Sequence, residues 1–205
     1  MRLVLASASP ARLATLQRAG VEPVVIVSGV DESVLDGLPP AELALQLAEL
    51  KCAAVAGRDD LPAGAVVLGC DSVFELDGEA LGKPADAAEA RARHRQMRGR
   101  SGLLHTGHAL AEPASGPASG PASGRVAAAV ATTVVHFADF TDEESAAYVA
   151  TGEPLHVAGA FTIDGLGGPF IRGVEGDHHN VVGLSLPLLR DLLAELDHSW
   201  LELWS

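Results

Sequence analysis

The feature that most constrains this chain is its opening. Leu3-Val4-Leu5-Ala6 is an apolar run with strand character, and it passes directly into Ser7-Ala8-Ser9-Pro10-Ala11-Arg12, a hydroxyl-rich turn that starts a helix. Ser9 has the chemistry of an N-cap and Pro10 that of a first helical residue, where a missing N–H costs nothing. Free backbone N–H groups and the positive helix end would then stand beside Arg12, which suits a phosphate. An ordinary capped helix explains the same residues. On either reading a buried strand feeding a helix points to an α/β fold.

The 205 residues suffice for a real core, expected as one domain over 1–205 or as two closely joined lobes. Hydrophobic residues make up 48% and charged ones 20%, which excludes disorder over most of the length. A formal charge of −13 argues against a nucleic acid polymer as partner, since phosphate backbones need clustered Lys and Arg. A small anion remains compatible, because a few focused cations or a carboxylate-held divalent metal can bind a polyphosphate on an acidic protein. Cys52 and Cys70 lack C-x-x-C spacing, so neither a zinc ribbon nor a disulfide framework is expected. No apolar run approaches the roughly 18 residues of a membrane span, and the expectation is a soluble cytoplasmic protein.

Along the chain, Leu13 and Leu16 share a helix face that Gly20 can terminate, and Pro23 to Val27 reads as a strand. Asp31 and Glu32 follow in a loop. From Pro40 to Gly57, Leu43, Leu47, Leu50 and Ala54 predict the apolar stripe of a helix, with Lys51 at its border. Val66 to Leu68 reads as a strand ending near Asp71, and Asp77-Gly78 as a type I′ hairpin turn. Asp86 with Glu89, and Thr141 with Glu144, have capping-box spacing. Arg91, Arg93, Arg95 and Arg98 read as a solvated face. Residues 113–124 are three tandem copies of Pro-Ala-Ser-Gly, expected to be a flexible insertion at the tip of a hairpin whose arms are 103–111 and 125–137. Glycines between 159 and 173 permit tight turns, and Ser185 to Leu196 reads as a final helix.

Asp71 is the strongest single candidate for chemistry, because α/β folds present ligand-binding groups at strand ends. A strand-ending Asp that bonds nearby amides is the plain alternative. Glu32 offers a second carboxylate, and two carboxylates with phosphate oxygens and waters satisfy Mg2+ or Mn2+. A solvated loop acid is the commoner use of such a residue. Arg12, Lys51 and Lys83 come from separate segments, and Lys51 at a helix edge can equally snorkel to solvent. The eight histidines show no metal-ligand spacing, and no G-x-S-x-G elbow marks a serine nucleophile.

In order along the chain, Leu5-Ala6-Ser7-Ala8-Ser9-Pro10-Ala11-Arg12, Lys51, Gly69-Cys70-Asp71-Ser72-Val73, Gly82-Lys83-Pro84, Gly152-Glu153-Pro154, Ala158-Gly159-Ala160-Phe161 and Asn180-Val181-Val182-Gly183-Leu184 resemble the Maf family of nucleoside triphosphate pyrophosphatases. The resemblance implies an elongated, twisted mixed β-sheet flanked by helices, ITPase-like, with two lobes around a nucleotide cleft. It also implies metal-dependent cleavage of a nucleoside triphosphate to monophosphate and pyrophosphate, with the removal of non-standard or surplus nucleotides as the task. Asp71 matches the position treated as catalytic acid or base. Ser7, Arg12, Glu32, Lys51 and Lys83 match positions associated with phosphate and with Mg2+ or Mn2+, and Ser9 belongs to the same substrate-binding turn. Arg12, Ser72 and Asp164 match three base-selectivity positions. Relatives often pair, so a homodimer is among the expected assemblies.

The chain departs from the family pattern where Ala11 replaces an arginine, and where Asp164 stands for a glutamine and cannot donate as an amide does. Two other readings compete. A nucleotidyltransferase would also use a strand, a loop and an Arg, although this loop lacks the glycines that a triphosphate-binding backbone needs. A non-catalytic nucleotide-binding regulator linked to cell division would bind without releasing pyrophosphate.

Overall fold

The opening folds as its residues predict. In the computed structural model, whose described residues are 1–35, 37–113 and 124–204, β1 spans Arg2–Leu5 and α1 spans Pro10–Arg18. Ser9 caps α1 by accepting a hydrogen bond from the Arg12 amide. β1 runs parallel to β2 (Val24–Val25) and to β3 (Ala65–Leu76). β4 (Glu79–Leu81), β5 (Ser101–Ala111), β6 (Val126–Phe137) and β7 (Ile171–Glu175) add antiparallel pairings. The described residues thus form one mixed seven-stranded sheet in the order β2-β1-β3-β5-β6-β7, with β4 also on β3. The long arms of β5 and β6 pair from Ser101 opposite His136 to Ala111 opposite Val126, so the expected hairpin is present. Most of its Pro-Ala-Ser-Gly tip, residues 114–123, lies outside the described residues.

The neighbours of β3 explain where a cleft can exist. On one edge β5 accompanies it from Val67 to Glu75. On the other edge β1 covers Ala65–Leu68 and β4 covers Phe74–Leu76, leaving 69–73 without a strand neighbour there among the described residues. Side chains from both faces of β3 can reach around this open edge. Asp71 therefore lies in mid-strand, not at the strand end that the sequence predicts.

Helices cover both faces. On one, α1 and α6 (Leu186–Glu195) bury Leu16, Leu189, Leu192 and Leu193 against Leu5, Leu68 and Leu110. On the other, α2 (Pro40–Ala56) packs Ala48, Cys52 and Val55 against Val4, Val67 and Ala109. Toward the β4 end of β3, a third core gathers Phe74, Phe137 and Phe161 edge to face, with ring centroids 5.0 to 5.7 Å apart. This end carries α3 (Ala87–Met97) and α4 (Asp142–Ala150), so the molecule has one lobe at each end of β3.

The buried face of α2 corrects the sequence reading. Ala44, Leu47, Ala48, Lys51, Cys52 and Val55 are buried, whereas Leu43 and Leu50 are half-buried and Ala54 is exposed. A Cβ on Gly69 would run into Ala48 O and Cys52, and one on Gly107 into Ala44 O. The helix therefore lies so close to the sheet that only small residues fit between them. A periodicity read from leucines misses such a face, and it places Lys51 at the border when it is central. β2 is likewise shorter than Pro23 to Val27, and Glu32 opens a 3-10 helix (Glu32–Leu35) instead of lying in a loop.

The caps follow short-range chemistry. Thr141 and Glu144 form the full capping box of α4. Asp86 caps α3, but Glu89 reaches past it to the Ala85 amide at 2.7 Å, so that box is half formed. Arg93, Arg95 and Arg98 pair with Glu89 or Asp142, and so do not make a basic patch. Among the described residues no helix is long and apolar enough to cross a membrane.

Candidate active site

A cleft of about 1230 Å³ opens along the uncovered edge of β3, larger than the usual roughly 300–1,000 Å³ of a small-molecule site. Ser7, Ser9, Arg12, Glu32, Lys51, Asp71, Ser72, Lys83 and Asp164, all the residues singled out from the sequence, line it. They arrive from six segments, and two of them, Arg12 and Lys51, are buried cations.

Lys51 projects from α2 between two carboxylates, with Nζ 2.8 Å from Glu32 Oε1 and 2.5 Å from Asp71 Oδ1. The close approach of α2 over Gly69 and Gly107 puts the ammonium there. Lys51 occupies one oxygen of Asp71 and leaves the other without a hydrogen-bond partner among the described residues. Glu32 is more than half exposed, so the group is open on its solvent side.

Arg12 reaches the cleft from the opposite face of β3. Its Nε donates to Gly183 O at 2.7 Å, Nη1 to Ser7 Oγ at 3.1 Å and Nη2 to Ser72 Oγ at 3.0 Å. Of five guanidinium N–H groups, these leave two for a ligand. Ser7 Oγ accepts from Arg12 and from the Ser9 amide at 3.2 Å, which uses both lone pairs and frees its own proton for an anion. Ser72 Oγ donates a hydrogen bond to Thr106 Oγ1, which donates to Asn180 O at 3.1 Å. A directed chain thus runs from Arg12 through two hydroxyls to α5 (His178–Val182).

The same segment is locked to the sheet. Asn180 Nδ2 donates to Leu104 O and Thr133 Oγ1, both at 3.1 Å. His108 donates from Nδ1 to Thr106 O and accepts the Ser185 amide at Nε2, 2.8 Å away, a pairing that requires the neutral ring. Burial, and secondarily the nearby charge of Arg12, press the His108 pKa down to about 4. Thr106, His108, Asn180 and Gly183 were not assigned roles from the sequence; the Asn180–Leu184 motif signalled only Asn180 and Gly183. Cys70 and Cys52 are buried free thiols pushed up to about 12 by desolvation, which removes them as nucleophiles.

Among the described residues no three His, Cys, Asp or Glu side chains converge into a ready metal cage. Glu32 and Asp71 nonetheless meet around a single cation, the Lys51 ammonium, so their hard oxygens lie within reach of one ion. Two carboxylates beside open space suit a divalent cation that keeps waters and takes its other ligands from a substrate's phosphates. Lys83 lines the cleft from the loop after β4 and is exposed, as is Asp164 on the segment after Phe161.

Known proteins resemble this chain over nearly its whole length. The profile of the family described as Maf-like protein matches residues 2–196. Proteins from Streptomyces coelicolor and Streptomyces avermitilis, each called nucleoside triphosphate pyrophosphatase, are 59% identical over 204 residues, covering 100% of this chain and 95% of their own length. One of the same name from Salinispora tropica is 58% identical over 207 residues, covering 100% of this chain and 88% of its own.

Proposed function

The chain belongs to the Maf family and is a nucleoside triphosphate pyrophosphatase, and we propose that the open edge of β3 is where it cleaves the α–β phosphoanhydride. The observation that carries this reading is the placing of two buried cations, one from each face of β3, on either side of Asp71 and Ser72. The α phosphorus carries negative oxygens that repel an incoming water, so attack needs that charge offset as the transition state develops. Arg12, Ser7 and Ser9 receive phosphate oxygens beside the start of α1, and Lys83 reaches them from across the cleft. Lys51 holds Asp71 by one oxygen. The second oxygen orients the water and takes its proton while pyrophosphate leaves. Glu32 and Asp71 would hold Mg2+ or Mn2+, which when bound supplies further neutralisation of phosphate charge.

Such an enzyme would act on free nucleotides in the cytoplasm and remove non-standard or surplus ones. The test is a panel of nucleoside triphosphates assayed with Mg2+ or Mn2+ for monophosphate and pyrophosphate, in wild type and Asp71→Asn. Equimolar products are expected without any second substrate, with kcat lowered roughly 10²–10⁴-fold in Asp71→Asn and lost on chelation of the metal. Turnover only with an added sugar phosphate would move the assignment to a nucleotidyltransferase. Tight binding with no product from any nucleotide would leave a regulator.

A further inference from the structure

The reading of the cleft as a nucleotide site leaves one charged group unexplained. Glu153 opens a 3-10 helix (Glu153–His156) in the second lobe and does not line the cleft. Its carboxylate collects four donors. Oε1 accepts from Thr162 Oγ1 at 2.5 Å, Tyr148 OH at 3.0 Å and the Gly167 amide at 3.1 Å, and Oε2 accepts from the Leu166 amide at 3.0 Å. Tyr148 OH in turn accepts the Thr162 amide at 3.1 Å. A Cβ on Gly165 would stand 2.7 Å from Glu153 Oε2, and one on Gly167 2.5 Å from Tyr148 OH. The glycine-rich run is therefore wrapped tightly around this one carboxylate. Burial works against the charge, but the bonds from Thr162, Leu166, Tyr148 and Gly167 outweigh it and hold the carboxyl below its ordinary range.

What the carboxylate holds is a wall of the cleft. Thr162, Ile163 and Asp164 line it from the wrapped loop, His156 lines it from the end of the helix that Glu153 begins, and Val157 and Ala158 line it from the residues that follow. This wall sits at the β4 end of β3: the Phe161 ring lies 5.1 Å from that of Phe74, and the Gly159 amide bonds Gly82 O. Ser7 lies toward the other end, where the Ala6 amide bonds Leu68 O, and Arg12 reaches from Ser7 to Ser72. Leu68 and Phe74 are six residue steps apart, about 20 Å along the strand. Phosphates at the first end leave the nucleoside for the second.

We propose that Glu153 is a positioning residue for nucleoside recognition: without touching substrate, it fixes the 156–164 wall against which the base and sugar bind. This rests on the proposed assignment of the cleft. It predicts that loss of the carboxylate weakens the nucleoside half of the ligand selectively and leaves the triphosphate half intact. Glu153→Ala removes all four acceptor contacts. Glu153→Gln keeps one acceptor oxygen for Tyr148, Thr162 and Gly167 but sets an amide N–H against the Leu166 N–H, so it should fall between wild type and Glu153→Ala.

The experiment measures Kd by calorimetry for two kinds of non-reacting probe, inorganic tripolyphosphate and the α,β-methylene analogues of UTP and GTP, beside KM and kcat with the hydrolysable nucleotides. The expected result is a rise of roughly tenfold in analogue Kd and in KM for Glu153→Ala, a smaller rise for Glu153→Gln, and tripolyphosphate Kd and kcat within about twofold of wild type. Equal weakening of both probes would show a general structural role and overturn the proposal, as would unchanged analogue binding in both variants. Glu153→Gln carries the test if Glu153→Ala does not fold. Binding of the analogues is read without turnover, so a wild type that binds but does not hydrolyse refutes the proposed activity and not this assignment.

Discussion

Arg12 and Lys51 are both buried cations beside β3, yet they keep opposite company. Arg12 is held by a carbonyl and two hydroxyls, all neutral, whereas Lys51 is held by the carboxylates of Glu32 and Asp71. The guanidinium positive charge is therefore fixed in place but not cancelled, which suits an anion that arrives with the substrate. The ammonium charge is already balanced, and its work is to fix Asp71 and Glu32. The always-ionised, forked Arg is suited to the first task and the compact point charge of Lys to the second. One edge of one strand thus separates a group that receives phosphate from a group that organises acids.

The largest expected effect comes from breaking the balanced side. Lys51→Met leaves two carboxylates facing each other with no cation between them. Turnover should fall by about 10²–10³-fold through lost electrostatic stabilisation and a misplaced Asp71, and thermal stability should fall as well, since removing one partner of a buried ion pair strands the other. A kinetic assay beside a melting curve reads both. A variant that keeps wild-type kcat would mean that Lys51 has no part in placing Asp71.

On the unbalanced side the loss should be milder and of another kind. Arg12→Lys retains the charge but cannot bond Gly183, Ser7 and Ser72 together, so KM should rise roughly tenfold while kcat moves less. A larger effect on kcat than on KM would place Arg12 in the chemical step instead of in substrate capture.

The remaining effect is a pH dependence of stability, and His108 reports it. Its folded pKa, near 4, lies below the ordinary histidine value of 6.5. Between those values the unfolded chain holds more protons, so stability is full above about pH 6.5 and is lost as pH falls toward 4. The loss amounts to about 3 kcal/mol at most, and His94, also depressed by burial, adds to it in the same direction. Denaturant unfolding across that window should show a shallower fall in His108→Gln. Because Arg12 contributes to the His108 shift, Arg12→Met should also make the decline smaller, ending it at a higher pH, whereas Lys51→Met should not. An identical pH response in wild type and His108→Gln would assign the decline to other groups.

Most local signals in the sequence were faithful where the cause is short-range. Ser9 and Thr141 cap the helices that follow them, Asp77-Gly78 turns the chain with both residues at positive φ, and the β5–β6 hairpin pairs over both arms. The ordered motifs also identified the family. Three readings went astray: the face of α2, the border position of Lys51 and the strand-end position of Asp71. The first two depend on how close α2 lies to β3 and β5, a closeness set by Gly69 and Gly107 from outside the helix, whereas Asp71 is mid-strand because β5 and β4 pair with β3 beyond it. Glu153 was visible only as part of a Gly-Glu-Pro motif, because its four partners lie between 5 and 14 residues away, Tyr148 in α4 and the other three in irregular loops, without any periodicity.

The sequence by itself determined the elements, their caps and turns and the α/β class, because hydrogen bonds within a turn and side-chain periodicity act over a few residues; the candidate residues of the cleft came from the family resemblance of its ordered motifs. The tertiary structure alone decided what each charge meets. Arg12 finds Ser72 60 residues away and Gly183 171 residues away, and Lys51 finds Asp71 20 residues away. Such partners are chosen by the path of β3 and by its uncovered edge, and the balance of charge that separates a phosphate-receiving arginine from an acid-holding lysine exists only once those distances have closed.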